Sequence, residues 1–382
     1  MWRAMSSSTA AATAAASGVW GRTEQQDFRS RVRGALLGGA IGDALGAAVD
    51  SLSLDEIRAG CGEAGVVDLL PAYGRRGAIT AGTQQTLFTV DGLIRAQVRR
   101  DTGAWHPPTD VHRAYLRWAA TQHDWGPDER RPEDGWLARE EWLYVRRSPT
   151  RECLGALKEP AMGTLEAPHN PASRDAVAVV RAAPFGLLVG WEAPLVFQLA
   201  AECAALTHGH PVSCLAAGAL AVLVHGVARG EGLDAAVQRA LAQLAARPGH
   251  QLVSDALRAA LDGVRQGLPT PERVEALGDG RTPEGVLAVA VYCALVGEDV
   301  GHGLRLAVNH GGASAACGAL CGALLGAMHG ETALPAGWVV EVEGRSTLLE
   351  LADDFAMEMT QGASLHTPGA GSPGWLARYP RA

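Results

Sequence analysis

Apolar residues recur at helical spacing along almost the whole chain. Leu87, Val90, Ile94 and Val98 mark one face of a helix over 83–99. The Gly/Ala-rich stretch 27–49 reads as a buried helix. The same periodicity predicts helices over 110–121, 176–190, 194–206, 211–228, 233–246, 252–264, 284–296, 301–308, 315–329 and 346–361. Strand patterns are few and short. Prolines and glycines punctuate loops at 101–109, 126–135 and 159–173. No fixed-period repeat is visible. The pattern therefore predicts one all-α domain, a compact multi-helix bundle over 27–364. The flanks 1–26 and 365–382 are rich in small residues and proline and read as mobile tails. Trp375 and Tyr379 are the groups that could dock the second tail back.

Composition refines this picture without changing it. Apolar residues make up 47% of 382, charged ones 19% and aromatics 5%, as in a soluble globular chain built from close-packed helices. Lys158 is the sole lysine, so the basic side is almost wholly arginine. A net charge of −8 without a basic run disfavours a nucleic-acid groove. The seven cysteines form no CxxC pair, and their number is odd. A disulfide framework or zinc site is not expected, and a reducing cytoplasm is. Cys317 and Cys321 share a helix face and read as small buried side chains. The first 25 residues lack an apolar Leu/Ile/Val core, so no signal peptide is read. No stretch reaches 18 consecutive apolar residues free of charge, so a membrane span is not expected.

Six sequence blocks carry more specific information. They are the Gly42-Asp43-Ala-Leu-Gly46 helix end; Gly77-Ala-Ile-Thr80 leading into Thr83-Gln-Gln-Thr-Leu87; Arg181-Ala-Ala-Pro184-Phe-Gly186; Thr207-His208-Gly-His210-Pro211; Ala307-Val-Asn309-His310-Gly311-Gly312 running into Gly318 to Gly326; and Leu334-Pro335-Ala-Gly-Trp338 followed by Glu343-Gly-Arg345. In this order and spacing, over roughly 30–355, they resemble the ADP-ribosylglycohydrolase family. That resemblance implies an all-helical fold with a cleft holding two Mg²⁺ ions. It implies hydrolysis that releases ADP-ribose from modified Arg, Ser or other acceptors. The two ions would orient the ribose diol, polarise the glycosidic linkage and activate a water.

The chain departs from the family where the metal chemistry lies. A Thr-Asp-Asp-Thr run becomes Thr80-Ala81-Gly82-Thr83. A Gly-Gly-Asp-x-Asp-Thr/Ser run becomes Gly311-Gly312-Ala313-Ser314-Ala315-Ala316. Hard cations need oxygen ligands, and Ala and Gly side chains supply none. Carried over by resemblance, the degenerate catalytic positions are Ala81, Gly82, Ala313, Ala315 and Ala316. Candidate ligand-binding residues are Asp50, Thr80, His208, Gly311, Gly312 and Ser314. No metal site and no cofactor are expected. The family's Gly-rich nucleotide loop is replaced by Ser173-Arg174-Asp175-Ala176-Val177-Ala178-Val179-Val180, which has no glycine and sets an acid where phosphates would lie. Gln85 stands where a Met is usual.

The surviving polar residues have structural readings too. Asp43 reads as a buried hydrogen-bonding group at a helix start or turn. His208 either faces ligand phosphates or organises the turn before the Pro211 helix. Thr80 caps or orders its loop, Asn309 bonds backbone near the Gly311-Gly312 turn, and Arg181 pairs with a buried acid. The leading expectation is a catalytically inactive, ligand- or partner-binding relative of the hydrolases. Its partner would be ADP-ribose, an ADP-ribosylated protein or an unidentified protein, with no nucleic acid and no membrane. The alternatives are a hydrolase with a rearranged or absent metal site, and a scaffold with an empty cleft.

Overall fold

A computed structural model describes residues 20–100, 102–103, 105–123, 135–366 and 373–381. The long helices are α1 (Arg22–Gly46), α2 (Ala81–Arg100), α3 (Pro107–Thr121), α4 (Ala193–Ala205), α5 (Pro211–Ala228), α6 (Leu233–Ala245), α7 (Gln251–Val264), α8 (Pro283–Val296), α9 (Val300–Val308), α10 (Ser314–His329) and α11 (Arg345–Gln361). The fold is all-α. Among the described residues the only β-structure is a two-stranded antiparallel hairpin, Pro71–Ala72 with Arg75–Arg76.

The centre of the bundle is the antiparallel contact of α1 with α10. Glycines recur every fourth residue on both helices, and the two rows interlock. A Cβ on Gly42 would lie 1.9 Å from the Gly318 carbonyl oxygen, and one on Gly322 1.9 Å from that of Gly38. Gly34 and Gly326 face each other in the same way. Only residues without a Cβ allow backbones this close. Arg31 ties the far end, donating from Nη1 to the carbonyls of Val227, Ala327 and Met328. One cation thus serves the C-termini of α5 and α10, where helix dipoles favour positive charge.

Helix α5 is charge-free and interrupted only by Ser213 and His225, so by length and composition it could cross a membrane. Here every residue after Pro211 is buried, and α4, α6, α8 and α10 pack around it. It is the apolar core helix of the bundle.

Several expectations change. Helix α1 begins at Arg22 rather than 27, because the Glu24 carboxylate accepts the Gly21 amide at 2.9 Å and starts the helix early. The stretch 176–190 is two short helices, Val177–Val180 and Ala183–Gly186. Pro184 has no N–H to continue the first. The short helix Leu54–Cys61 escaped the periodicity, although Ser53 and Glu56 form a capping box at its start. In the second tail Trp375 and Tyr379 are buried.

Candidate ligand cleft

Two loops meet at the end of the glycine contact, and each is held by one acid. Asp43 lies in the last turn of α1, not at a helix start, and is fully buried. Its Oδ2 accepts the Thr80 amide at 2.8 Å and the Thr83 hydroxyl; its Oδ1 accepts the Thr80 hydroxyl at 2.8 Å. Burial raises its pKa to about 6, against the lowering pull of those donors. The Thr80 hydroxyl in turn accepts the Gly82 amide at 3.1 Å. Asp43 therefore anchors the start of α2.

Asp50 does the same for the second loop. Ala313, at the N-cap of α10, has no side chain to cap with, and Asp50 Oδ1 accepts the Ala315 amide at 3.1 Å instead. Asp50 keeps contact with solvent; partial desolvation raises its carboxyl, and nearby Arg281 opposes that rise.

The 311–313 turn is held from outside. The Gly311 amide donates to Glu275 at 2.9 Å, and the Ala313 amide to the Asp279 carbonyl at 2.8 Å. Gly312 has φ 141°, and a Cβ there would sit 2.0 Å from the Asp279 carbonyl oxygen. Its carbonyl accepts the Ser51 amide at 2.7 Å. The roles of Glu275 and Asp279 were not read from the sequence; the Gly278-Asp279-Gly280 run was the available signal. Asn309 does not serve this turn: its side chain pairs with the Val66 amide and carbonyl at 2.7 and 2.9 Å.

The positions aligned with the family's carboxylates and final hydroxyl offer no side-chain oxygen. Ala81 and Ala315 are nearly buried; Gly82, Ala313 and Ala316 are half-buried. The Ser314 hydroxyl is turned inward, donating to the His310 carbonyl at 3.3 Å. Among the described residues, no group of three or more His, Cys, Asp or Glu side chains converges to hold a metal. Val180 covers Gly82, since a Cβ on that glycine would lie 3.0 Å from Val180 Cγ1. Asp175 spends its carboxylate on its own segment, accepting the Val177 amide at 2.7 Å and starting the short helix that ends at Val180. A small cavity opens beside Thr83 and Val180, lined mainly by Leu36, Ala40, Ala183, Leu187, Ala319 and Ala323.

His208 is fully buried. Its Nδ1 meets the Thr207 hydroxyl at 2.8 Å, while its Nε2 has no partner. Burial, and then the charge of Arg181, lower its pKa to about 3. The turn before α5 is capped by His210, whose Nδ1 accepts the Val212 amide at 3.2 Å. Among the described residues Arg181 pairs with no acid. It donates to Gln85 Oε1 at 2.8 Å and to the Thr207 hydroxyl at 2.5 Å, and lies 4.2 Å from the Tyr115 ring centroid. Gln85 is thus a neutral oxygen acceptor for a buried guanidinium, for which a Met thioether is only a weak substitute.

Four non-glycine residues among those described have left-handed backbone: Ser51, Tyr73, Ser148 and Asn170. Three of them adjoin these loops, and Asn170 lies at the Thr207 turn. Ser51 bonds Gly312, and Asn170 Nδ2 donates to the Thr207 carbonyl at 2.8 Å. Tyr73 Oη and Ser148 Oγ meet at 2.9 Å, next to Arg147, whose carbonyl accepts the Ala81 amide at 2.8 Å. Each such conformation costs roughly 1–3 kcal/mol and persists only where the surroundings over-determine it.

An all-helical bundle with two anchored loops at one end of its central helix pair defines an all-α class of protein. A family model described as ADP-ribosylglycohydrolase matches residues 24–364, and the chain belongs to that family. An uncharacterized protein of Archaeoglobus fulgidus is 26% identical over 334 residues, covering 85% of this chain and 95% of its own. A solved structure described as an ADP-ribosylglycohydrolase-related protein complex is 25% identical. It superposes with a TM-score of 0.59 over 88% of this chain and 99% of that one.

Proposed function

We propose that this chain is a non-hydrolytic member of its family, one that binds a ligand or partner at the cleft without turning it over. One observation carries the reading: both surviving acids already accept hydrogen bonds from the loops themselves, Asp43 from one amide and two hydroxyls and Asp50 from one amide. Asp43 holds Thr80 and Thr83, Asp50 holds Ala315, and the four positions between them are Ala or Gly. Mg²⁺ asks for near-octahedral oxygen coordination. The residues present do not fit two such ions, so no step is routed through them. Of the carried-over ligand side chains, Thr80 keeps an oxygen, already shared between Asp43 and the Gly82 amide.

Binding rather than mere scaffolding is favoured by the strained rim. Ser51 holds a costly conformation against Gly312, and Tyr73 and Ser148 hold theirs beside Arg147, whose carbonyl accepts the Ala81 amide. ADP-ribose or an ADP-ribosylated protein is the ligand class that family membership suggests. Titration calorimetry with ADP-ribose, with and without Mg²⁺, tests it, beside a hydrolysis assay on ADP-ribosyl-arginine and ADP-ribosyl-serine. The expected result is heat independent of Mg²⁺ and no release of ADP-ribose. Release that a single cleft substitution abolishes would overturn the reading.

A further inference from the structure

Residues 373–381 lie beyond the span matched by the family, 24–364, yet Trp375 and Tyr379 among them are buried. The Trp375 indole donates to Glu358 at 3.0 Å. Tyr379 is fully buried, and its hydroxyl donates to Asp354 at 2.6 Å and accepts from the Trp136 indole at 3.0 Å. Arg378 pairs with Glu350 at 2.7 Å and lies 3.7 Å from the Trp136 ring centroid. The segment thus joins α11 to Trp136.

Trp136 begins a stretch that leads into the cleft. The Tyr144 hydroxyl donates to the Ala138 carbonyl at 2.5 Å, closing 138–144 into one unit. Gln84 Nε2 donates to the carbonyls of Leu143 and Val145, at 3.5 and 3.1 Å. The Ala81 amide donates to the Arg147 carbonyl at 2.8 Å. Ala81 and Gln84 form the first turn of α2, whose start Asp43 anchors.

We propose that the C-terminal segment is a strap: by fixing Trp136 it sets the position of residues 136–147 and, through them, of the first turn of α2. The strap is a conformational device for the cleft and holds whatever ligand the cleft takes. A second anchor limits its reach. The Trp142 indole donates to Thr347 at 3.0 Å, and Thr347 donates to Glu140 at 3.0 Å, so the middle of the stretch is tied to α11 independently. The strap's own contribution is to the Trp136 end.

Hydrogen exchange on the full chain tests this. One variant combines Arg378→Ala with Tyr379→Phe. A milder one, Trp136→Phe, removes only the indole donor and keeps a ring for Arg378. In the double variant, amides of 137–147 and of 81–84 should exchange about tenfold faster or more, with α5 unchanged. Trp136→Phe should give the same pattern, smaller. Unchanged exchange at both places in both variants would overturn the proposal. So would acceleration confined to 137–147, or an equal rise throughout the molecule including α5, because the strap would then add stability without reaching the cleft.

Discussion

The contact between α1 and α10 and the two loops at its end differ in what they tolerate. Along the helices, each glycine faces backbone: a Cβ on Gly38 or Gly42 would meet a carbonyl oxygen at 2.3 or 1.9 Å. In the loops, Gly82 faces the tip of a side chain, Val180 Cγ1, at 3.0 Å. Backbone cannot move aside without moving the helix, whereas a valine can rotate or shift. The helix pair is therefore under tight steric constraint, as is Gly312 against the Asp279 carbonyl, whereas the Gly82 position is not. Side chains at a position such as Gly82 can change while the frame stays the same.

The largest expected effect is on the frame. Gly42→Ala or Gly322→Ala should destabilise the protein by about 3 kcal/mol or more, since overpacking a backbone contact exceeds the usual cost of a crowded core. Chemical denaturation would measure it, and a shift below about 1 kcal/mol would mean that the helices separate easily and the contrast is false.

Next comes refilling the loops. Replacing Ala81, Gly82, Ala313 and Ala315 by Asp should create Mg²⁺ binding visible by calorimetry, because the backbone frame of both loops is in place. Ala81 and Ala315 are nearly buried, so without metal the added carboxylates should repel Asp43 and Asp50 and lower the melting temperature. Mg²⁺ should raise it again, and hydrolysis should lag behind binding, since 173–180 holds no glycine. A folded variant without Mg²⁺ heat would mean that the loops have diverged beyond their ligands. Immediate hydrolysis would refute the argument from that segment.

The acid in the frame and the buried histidines should respond to pH in opposite senses. Asp43 has its folded pKa raised to about 6, so its stabilising contribution is present at low pH and lost as pH rises from about 4 to about 6. His208 and His225 are lowered to about 3 and about 4, so theirs is present above the ordinary histidine pKa and lost as pH falls through that range. Between pH 7 and 4 the stability of the native chain relative to Asp43→Asn should grow by roughly 2–3 kcal/mol. A flat difference curve would show that the three hydroxyl and amide donors offset burial completely. The smallest effect is expected at the loop itself: Gly82→Ala should stay within about 0.5 kcal/mol, which denaturation can distinguish from the Gly42 result.

Much of the frame was legible from sequence because helical periodicity is local. The predicted limits of α5, 211–228, match the helix, and most others fall within a few residues. The short helices Leu54–Cys61 and Arg151–Ala156 were missed, since so few residues carry too little periodicity. The blank ligand positions were legible by alignment with a motif. What the remaining acids do was not. Asp43 reaches Thr80 and Thr83 across 37 and 40 residues, and Asp50 reaches Ala315 across 265.

The sequence by itself determined the helical fold, the family and the absence of carboxylates at four ligand positions, because these are properties of residue type and spacing. Tertiary structure alone decided that Arg181 rests on Gln85 and Thr207 rather than on an acid, that His210 rather than His208 caps α5, and that Tyr379 is buried beside Trp136. Each of these depends on which groups meet after burial. A buried donor takes whatever acceptor lies within reach, and reach is set by packing of the whole chain rather than by distance along it.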